Sequence, residues 1–507
     1  MLKLLRAMAA MASASLLSQV LGIFTNKILA IIMGPAGVGM FGLYRQLVDI
    51  AGALACIGSS GGLVQALSST EGEARLRRLA AAMWLNVMAI IVTVLVMIFL
   101  APVIAREYFV RQDPAIEWAA RWLSVPIALI MVGSLASNLL SASRAFRLLG
   151  IVMVAPAAGS LIFAYPLAKA AAQGNQWGYV GLLIVPAALQ VLLALPIVRQ
   201  LGWLREIGAS LRVKPQRDDI LHYVRFHATT LLATFIGFIT FLVLPPLLIV
   251  NYGADANGFF RAAWSIGMQN LAIMLSSFSA YVVPVLSGAR TEEERSKVLN
   301  DAAFVIVLLS VPLIGGLVIF QPLVIRILYN EQFLPSIEML HWLLLANYFR
   351  VAQWLFLLVS MTRAQLGIFT VTGVGFNLGF LVIGWLAVGF PPDAGPIAWL
   401  SGIRGLGFAF FVSYVAVTIV TAILTWRRYR YFTERRTSLV WLAGLVVVVL
   451  CDIMTWNDLS MNWPQAVALS LLCCATPALL LDAQRRAQLR EVIASIRAKR
   501  AGRGVPD

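Results

Sequence analysis

Apolar runs of about twenty residues recur along this chain from one end to the other, and they constrain its fold more than any other feature. A run of that length crosses the roughly 30 Å hydrocarbon core of a bilayer as one α-helix. We place fourteen such runs, and each predicts a transmembrane helix. The runs cover residues 8–33, 40–66, 79–105, 117–141, 150–171, 178–200, 222–250, 257–288, 301–328, 336–361, 366–390, 399–426, 437–454 and 464–482.

The composition agrees with a membrane protein. Hydrophobic residues make up 60% of the chain and charged residues 12%, whereas a soluble domain carries about 25% charged residues. The first run is longer than the core of a signal peptide, so we expect a membrane helix there and no cleaved leader. The sequence therefore predicts an all-α polytopic membrane protein.

The formal net charge of +16 raises the question of nucleic-acid binding. The basic residues, however, cluster in alternate loops, and the loops between those clusters contain Arg106 and Arg111. By the positive-inside rule both termini are predicted to be cytoplasmic. The charge is then explained by topology and by anionic lipid headgroups, so no nucleic-acid partner is expected. The basic stretches are 72–78, 143–147, 204–217, 290–297, 427–436 and the tail from Arg485.

The longest basic loop divides the first twelve predicted helices into two groups of six. GPAGVGMF (34–41), after the first helix, is echoed by GADANGFF (253–260), after the seventh, with Gly, Gly and Phe at matching positions. We therefore predict two six-helix lobes related by a pseudo-two-fold axis along the membrane normal. The predicted organisation is an N-terminal lobe 1–200, a linker 201–221, a C-terminal lobe 222–426, two further helices 427–482 and a basic cytoplasmic tail 483–507.

Charged residues flank the first glycine-rich turn. The turn Gly34–Gly39 predicts a tight reversal, and Lys27 and Arg45 lie at similar distances on either side of it. Both are then buried on the order of 10 Å below the outer surface, with Asp49 on the same helix face as Arg45. A charge at that depth costs at least about 2.5–3.5 kcal/mol. Two interpretations remain open: a packed Arg45–Asp49 ion pair with Lys27 reaching outward, or an anion site open to a central cavity.

Three further arginines favour the anion site. Arg350 lies near the middle of the tenth predicted helix, and Arg261 and Arg404 lie inside the eighth and twelfth. The acids predicted at membrane depth are Asp49 and Glu338, so the interior is predicted to be net positive. Arginine grips a phosphate with two parallel hydrogen bonds and lysine adds a point charge, so a diphosphate suits these cations. Asp49 is the candidate coupling carboxylate.

The histidines and cysteines carry weaker signals. His341 lies near Glu338 and is a candidate for a proton relay, although a structural role is the alternative for His341, His222 and His227. The cysteines lie in apolar runs without metal-ligand spacing, so no metal, cofactor or disulfide framework is predicted. They are Cys56, Cys451, Cys473 and Cys474.

The segment KILAIIMGPAGVGMFGLYRQL, the loop RLRRLAAAMW and the stretch SSFSAYVVPVLS resemble a known family. They are similar to the Wzx-type flippases for lipid-linked oligosaccharides, of the enterobacterial common antigen and O-antigen kind. This family belongs to the multidrug/oligosaccharidyl-lipid/polysaccharide exporter (MOP) superfamily. The resemblance covers about residues 1–426 and places Lys27, Arg45 and Arg350 at basic family positions, whereas Arg261 matches none clearly.

The resemblance implies a function. An oligosaccharide repeat unit on undecaprenyl diphosphate would pass from the cytoplasmic to the periplasmic leaflet of the bacterial inner membrane, through a cavity that opens alternately to each side. It also implies a coupling ion, H⁺ or Na⁺, and contact with the polysaccharide polymerase machinery.

Other functions remain open. The two extra helices also occur in the lipid II flippase, which is the second choice of substrate, and a drug or metabolite exporter of MATE type is a third. A membrane enzyme would need acidic catalytic clusters, which this sequence lacks, so no enzyme activity is expected. A scaffold would not explain Arg350.

Overall fold

The computed structural model describes residues 2–58, 61–110, 113–288, 291–362, 366–392, 398–429, 434–456 and 463–479, and these residues form helices and short connections with no strand. The predicted tail from Arg485 lies outside this part of the chain. The helices are α1 Leu2–Ala55, α2 Gly61–Ser69, α3 Gly72–Val103, α4 Pro114–Trp122, α5 Ser124–Ala142, α6 Phe146–Ala172, α7 Gln176–Gln200, α8 Trp203–Ser210, α9 Arg217–Tyr252, α10 Ala254–Gly288, α11 Glu292–Ile319, α12 Gln321–Leu328, α13 Ile337–Thr362, α14 Leu366–Val388, α15 Gly402–Tyr429, α16 Arg435–Trp456 and α17 Trp463–Leu479. A π-helical turn, Ile104–Tyr108, continues α3, and short 3-10 turns lie at Glu331–Ser336 and Ala398–Leu400.

The helices agree with a polytopic membrane fold. Within the described residues, eleven helical stretches are long and apolar enough to cross a membrane. Each of the fourteen predicted runs overlaps one or two of the described helices, and α1 alone covers the first run and most of the second. The prediction of an all-α polytopic membrane protein is confirmed.

A single glycine breaks α1. Gly34 has φ 63° and ψ −175°, a left-handed conformation that side chains rarely adopt, and Pro35 begins the next helical segment. The turn predicted over Gly34–Gly39 is therefore confined to Gly34, because a proline at the first position of a helix is compatible with its geometry. α1 thus consists of two helical segments, residues 2–33 and 35–55.

The chain divides into two compact units. Unit one comprises Met1–Ile266, Leu323–Leu340 and Thr370–Ser413, and unit two comprises Gly267–Pro322, His341–Phe369 and Tyr414–Asp507. These units mark where internal contacts concentrate. The two six-helix lobes remain a prediction.

The core of unit one forms around the second segment of α1. Tyr44 is fully buried, stacks on Tyr179 at a ring distance of 5.4 Å and lies 4.4 Å from the ring of Phe109. Its hydroxyl donates a hydrogen bond of 2.9 Å to Oε1 of Gln176. The burial of three aromatic rings and this satisfied hydroxyl fix the segment on α3 and α7.

The two echoed glycine motifs contact each other in unit one. Gly253, like Gly34, has a positive φ, of 87°, and precedes a helix. The amide of Asn257 donates to the carbonyl of Gly39 at 2.8 Å. A Cβ on Gly258 would lie 2.0 Å from the carbonyl oxygen of Pro35. The two segments therefore approach each other to backbone contact, and glycine at Gly39 and Gly258 permits this.

In unit two, α11 packs against α16 and α17. The hydroxyl of Tyr348 on α13 donates to the carbonyl of Trp441 on α16 at 2.6 Å. Gly444 lies against the same hydroxyl, since a Cβ there would come within 2.7 Å of it. The C-terminal helices are thus packed into this unit rather than lying apart from it.

Candidate anion-binding site

The second segment of α1 exposes charge instead of apolar surface. Met40, Leu43, Leu47 and Val48 are buried in it. Its exposed side chains include Arg45 and Asp49, and of the large apolar side chains in residues 35–55, all of them described, Leu54 alone is exposed. By contrast, α3 exposes a row of large apolar side chains such as Phe99, as a lipid-facing helix does. The exposed face around Arg45 therefore does not suit lipid.

Arg45 and Asp49 are close but not packed. The Nε of Arg45 lies 3.8 Å from Oδ2 of Asp49, and the two side chains are 62% and 63% exposed. An exposed pair of this kind contributes roughly 0–1 kcal/mol to stability. The pair therefore leaves most of the donors of Arg45 available to another anion, and the interpretation as a packed ion pair does not fit.

Arg261 lies beside this pair. Its guanidinium donates to Oε1 of Gln46, and its Nε would be 2.6 Å from a Cβ on Gly42. Both Arg45 and Arg261 are within electrostatic reach of Asp49. The Nε of Arg261 is enclosed and has no hydrogen-bond partner among the described residues. Two cations thus surround one carboxylate, which gives the cluster a net positive charge.

Tyr108 completes the cluster. Its hydroxyl donates to the carbonyl of Leu43 at 3.4 Å, and it lies within electrostatic reach of Arg261. Tyr108 ends the π-helical turn Ile104–Tyr108, and such turns occur frequently at functional sites because they redirect side chains. No sequence pattern marks Tyr108 or Gln46, since an isolated polar residue in an apolar helix is common.

Lys27 is held at the end of a neighbouring helix. Its ammonium donates to the carbonyl of Arg326 at 2.5 Å and to the carbonyl of Tyr329. These carbonyls lie at the C-terminal end of α12, where the partial charge of a helix is negative. Asn330 also donates to the carbonyl of Ala30 at 3.1 Å. In this conformation Lys27 caps α12.

Tyr329 connects Lys27 to the cluster. Its carbonyl accepts from Lys27, and its side chain hydrogen-bonds with Ser265 and is within electrostatic reach of Arg45. Lys27, Arg45, Arg261 and Asp49 thus belong to one region of unit one.

The other predicted cations lie elsewhere in the fold. Arg404 is in the first turn of α15, with its Nε 3.9 Å from Oε2 of Glu338, so both are at helix ends rather than deep inside. Arg350 belongs to unit two and lies near the middle of α13, where its Nη1 is 3.3 Å from Sδ of Met268.

The histidine prediction changes. Glu338 is the partner of Arg404, whereas the carboxylate near His341 is that of Asp452. In the described residues, no group of three or more His, Cys, Asp or Glu side chains is placed to hold a metal ion.

Known structures share this fold. The lipid II flippase MurJ in an inward closed conformation superimposes with a TM-score of 0.70, covering 95% of this chain and 99% of that chain at 13% identity. An inward-facing multidrug resistance MATE family transporter of the MOP superfamily gives a TM-score of 0.65, covering 82% of this chain and 94% of that chain at 13% identity. Fold and site thus define a polytopic membrane protein that shares the fold of these two transporters.

The sequence comparison is more specific. The model of the polysaccharide biosynthesis protein family matches residues 4–290, more than half of the chain, and the chain belongs to this family. The lipid III flippase of Escherichia coli (strain K12) is 24% identical over 422 residues, which cover 80% of this chain and 95% of that protein. The lipid III flippase of Shigella flexneri matches equally. Both relatives are named as flippases, in agreement with the prediction that the chain is not an enzyme.

Proposed function

We propose that this protein is a flippase that moves an undecaprenyl-diphosphate-linked oligosaccharide repeat unit from the cytoplasmic to the periplasmic leaflet of the bacterial inner membrane. The observation that carries the proposal is a net positive cluster: Arg45 and Asp49 are exposed on an otherwise apolar and buried helix segment, and Arg261 of α10 lies beside them. Neither lipid nor a packed core explains a charged face of this kind.

The chemistry of a lipid diphosphate explains it. Moving the two to three charges of a diphosphate unaided through hydrocarbon is prohibitively costly, so its route needs water and fixed cations. Arg45 supplies exposed guanidinium donors and Arg261 a second positive charge, while Asp49 keeps the two from repelling each other. In this proposal Lys27 and Arg350 contact the diphosphate at other stages of its passage, and Arg404 lies near its exit.

The named relatives support a lipid-linked cargo. The two lipid III flippases match nearly their full length, and the lipid II flippase shares the fold over almost the whole chain. By this analogy the two predicted lobes open alternately to each side, both termini are cytoplasmic, and Asp49 is a coupling carboxylate for H⁺ or Na⁺. The released product then meets the polymerase machinery.

The test is flipping in liposomes. The purified protein is reconstituted with an undecaprenyl-diphosphate oligosaccharide, and a membrane-impermeant glycosidase added outside reports how fast the sugar becomes accessible. We expect wild type to expose the sugar well above the rate of empty liposomes. No acceleration, with or without an imposed ion gradient, would refute the proposal for this cargo.

Lipid II is the second candidate cargo, favoured by the MurJ fold and the additional helices α16 and α17. A parallel assay with lipid II distinguishes the two. If the protein flips lipid II and not the repeat-unit lipid, then lipid II is the cargo. The protein would still be a flippase for a lipid diphosphate.

A further inference from the structure

The first three turns of α9 have a buried polar face within unit one. Asp219, Tyr223 and His227 recur every four residues, so they share one side of the helix, and all three are buried. The hydroxyl of Tyr223 donates to the carbonyl of Arg78 on α3 at 3.1 Å. Nε2 of His227 lies 3.2 Å from the carbonyl oxygen of Leu54 on α1. This face therefore fixes the start of α9 against α1 and α3.

A cavity of about 470 Å³ lies along the neighbouring face of α9. Its size is in the range of small-ligand sites, about 300–1,000 Å³. The α9 residues that line it recur at spacings of three and four, so they also share one side of the helix, and Arg78 of α3 lines the cavity with them. These α9 residues are Asp218, Leu221, His222, Arg225 and Phe226.

The charged groups of the cavity favour an anion. Two guanidinium groups, Arg78 and Arg225, line it against the carboxylate of Asp218, and Arg225 and Asp218 are both exposed. The imidazole of His222 adds a ring N–H. Guanidinium groups bind phosphate oxygens through paired hydrogen bonds, and a diphosphate offers enough oxygens for both arginines. The cavity therefore suits a phosphate-bearing ligand.

Arg78 can exchange partners at low cost. Its Nε lies 2.8 Å from Oδ1 of Asp219. Oδ2 of Asp219 accepts from the backbone amide of Gln216 at 3.1 Å and lies 3.8 Å from Nε of Arg77. Asp219 therefore keeps an amide donor and a second cation when Arg78 turns to another anion. The hydrogen bond from Tyr223 holds the backbone of Arg78 in place meanwhile.

We propose that this cavity is a receiving site for the diphosphate of the cargo lipid on the predicted cytoplasmic face. Arg78 and Arg225 bind the phosphates, and His222 adds a hydrogen bond. The inference rests on the proposed flippase function and adds the place where the cargo first binds. The cavity shares no residue with the cluster of Arg45 and Arg261.

Arrival of the cargo then affects the helix contact. A bound diphosphate competes with Asp219 for the guanidinium of Arg78, so binding weakens one of the ion pairs that join α3 to α9. Binding of the anion and the α3–α9 contact are thereby linked energetically.

Binding in the cavity can be observed at His222. The chain has three histidines, so ¹⁵N-histidine labelling gives a small set of ring signals, and His222→Gln assigns those of His222. Inorganic diphosphate, titrated in detergent, is expected to shift the His222 signals to saturation and to leave those of His341, in unit two, unchanged. His222 signals that do not move in the presence of diphosphate would overturn the proposal.

Arg225→Ala is the variant that tests the anion contact, and its exposed side chain makes misfolding of the variant a small risk. We expect about tenfold weaker binding, because a charge-assisted hydrogen bond is lost. Arg212→Ala is the matched control, an exposed arginine outside the cavity, and should bind diphosphate as wild type does. Equal weakening in the two variants would show a general effect of surface charge and refute the site.

Asp219→Asn tests the competition for Arg78. The amide keeps the shape and an oxygen that accepts from Gln216, but it loses the charge that holds Arg78. Diphosphate should therefore bind about tenfold more tightly in the cavity. All variants are first compared with wild type by size-exclusion chromatography and thermal melting. Unchanged affinity in a folded Asp219→Asn would refute the exchange of partners.

The phosphate could belong to the cargo or to an ordinary lipid headgroup, and nanodiscs distinguish these sources. One set contains an undecaprenyl-diphosphate oligosaccharide and the other phosphatidylglycerol at the same mole fraction. We expect the first set to shift the His222 signals as inorganic diphosphate does, and the second to leave them in place. Equal shifts in the two sets would show a general phospholipid site and overturn the assignment to the cargo.

Transport separates this inference from the proposed function. In the liposome assay, Arg225→Ala should flip slowly at low cargo density and approach wild type at high density, because loading is the step affected. If wild type does not flip the lipid while its diphosphate shifts His222, the proposed function fails and the binding site stands. If wild type flips the lipid and Arg225→Ala matches it at every density, the receiving site is refuted and the flippase function stands.

Discussion

Gly39 and Gly258 hold the same position in GPAGVGMF and GADANGFF, and they touch: a Cβ on Gly39 would lie 2.7 Å from the backbone nitrogen of Gly258. Asn257 adds a hydrogen bond to the carbonyl of Gly39. The contact leaves no space for a side chain at either glycine, where α1 and α10 cross. α10 is thereby fixed to the second segment of α1, and Arg261 is carried to its place over Gly42.

Gly258→Ala is expected to destabilise the protein. Its methyl group would lie 2.0 Å from the carbonyl oxygen of Pro35, and a backbone atom cannot move aside cheaply. Overpacking of this kind costs about 1–3 kcal/mol. Gly22→Ala is the control, because nothing lies within 4 Å of its added carbon and alanine favours a helix by about 1 kcal/mol. Denaturation in SDS mixed micelles measures the free energy of unfolding of both variants. Equal stability of the two would contradict the close approach of Gly258 to Pro35.

Arg45→Ala and Arg261→Ala are each expected to slow flipping of the lipid diphosphate at least tenfold. Each removes a cation from the site, and a charge-assisted hydrogen bond contributes about 1.5–3 kcal/mol. Arg121→Ala is the matched control, since Arg121 also pairs with an acid one helical turn away, Glu117, outside the cluster. The liposome assay measures all three. A loss of flipping in Arg121→Ala as large as in the others would indicate a general defect.

Asp49→Asn is expected to tighten binding of inorganic diphosphate and to slow flipping. The change leaves Arg45 and Arg261 without the carboxylate that now offsets them, so an anion is held more strongly and released more slowly. Calorimetric titration with diphosphate measures the affinity, and the liposome assay measures the rate. Weaker binding in the variant would mean that Asp49 organises the arginines rather than competing with the anion.

Lys27→Met is expected to lower the free energy of unfolding by about 1–3 kcal/mol, because it removes the hydrogen bonds from a charged donor to the end of α12. Asn330→Ala is the comparison: it removes a neutral hydrogen bond at the same place and should cost less, about 1 kcal/mol. SDS titration of both variants measures the difference. If the free energy of unfolding of Lys27→Met equals that of wild type, the ammonium contributes nothing to the packing of α12.

The stability of the predicted cytoplasmic face is expected to fall at acid pH. His222 lines a cavity of about 470 Å³ near the start of α9, and burial together with the nearby Arg78 lowers the pKa of His222. The unfolded chain then binds a proton as pH falls through about 6.5, before the folded protein does. Stability is therefore retained above this pH and decreases below it.

His222→Gln removes this dependence. Melting temperatures of wild type and variant, measured in detergent from pH 7.5 to pH 5.5, should diverge toward the acid end with wild type losing more. Parallel curves would show that His222 does not titrate differently in the two states. The cavity residues are Arg78, Asp218, Leu221, His222, Arg225 and Phe226.

The helices were predictable because each apolar run is long and bounded by charge or glycine. The break in α1 was located correctly at Gly34 but predicted too wide, since glycine content signals a turn whereas Pro35 begins a helix as readily as it ends one. The second run, 40–66, is also interrupted: α1 ends at Ala55 and α2 begins at Gly61. Hydropathy does not detect an interruption that begins with apolar residues such as Cys56 and Ile57.

The site was only partly predictable. Spacing along one helix indicated that Arg45 and Asp49 share a face, and the structure agrees. Contacts between distant segments were not readable from sequence: Gln46 with Arg261, and Asp452 with His341. Lys27 was expected beside the anion and is found on helix carbonyls, because an embedded ammonium takes whatever acceptors the fold provides.

The cap that Lys27 places on α12 has a consequence for selectivity. An anion that recruits this ammonium must offset the loss of the hydrogen bonds to Arg326 and Tyr329, which sets a threshold on its charge. A singly charged lipid gains too little from one lysine to meet that threshold, whereas a diphosphate gains more from the same lysine. If the protein has the proposed function, we expect it to discriminate in this way against abundant phospholipids of the surrounding bilayer, without any contact to a sugar.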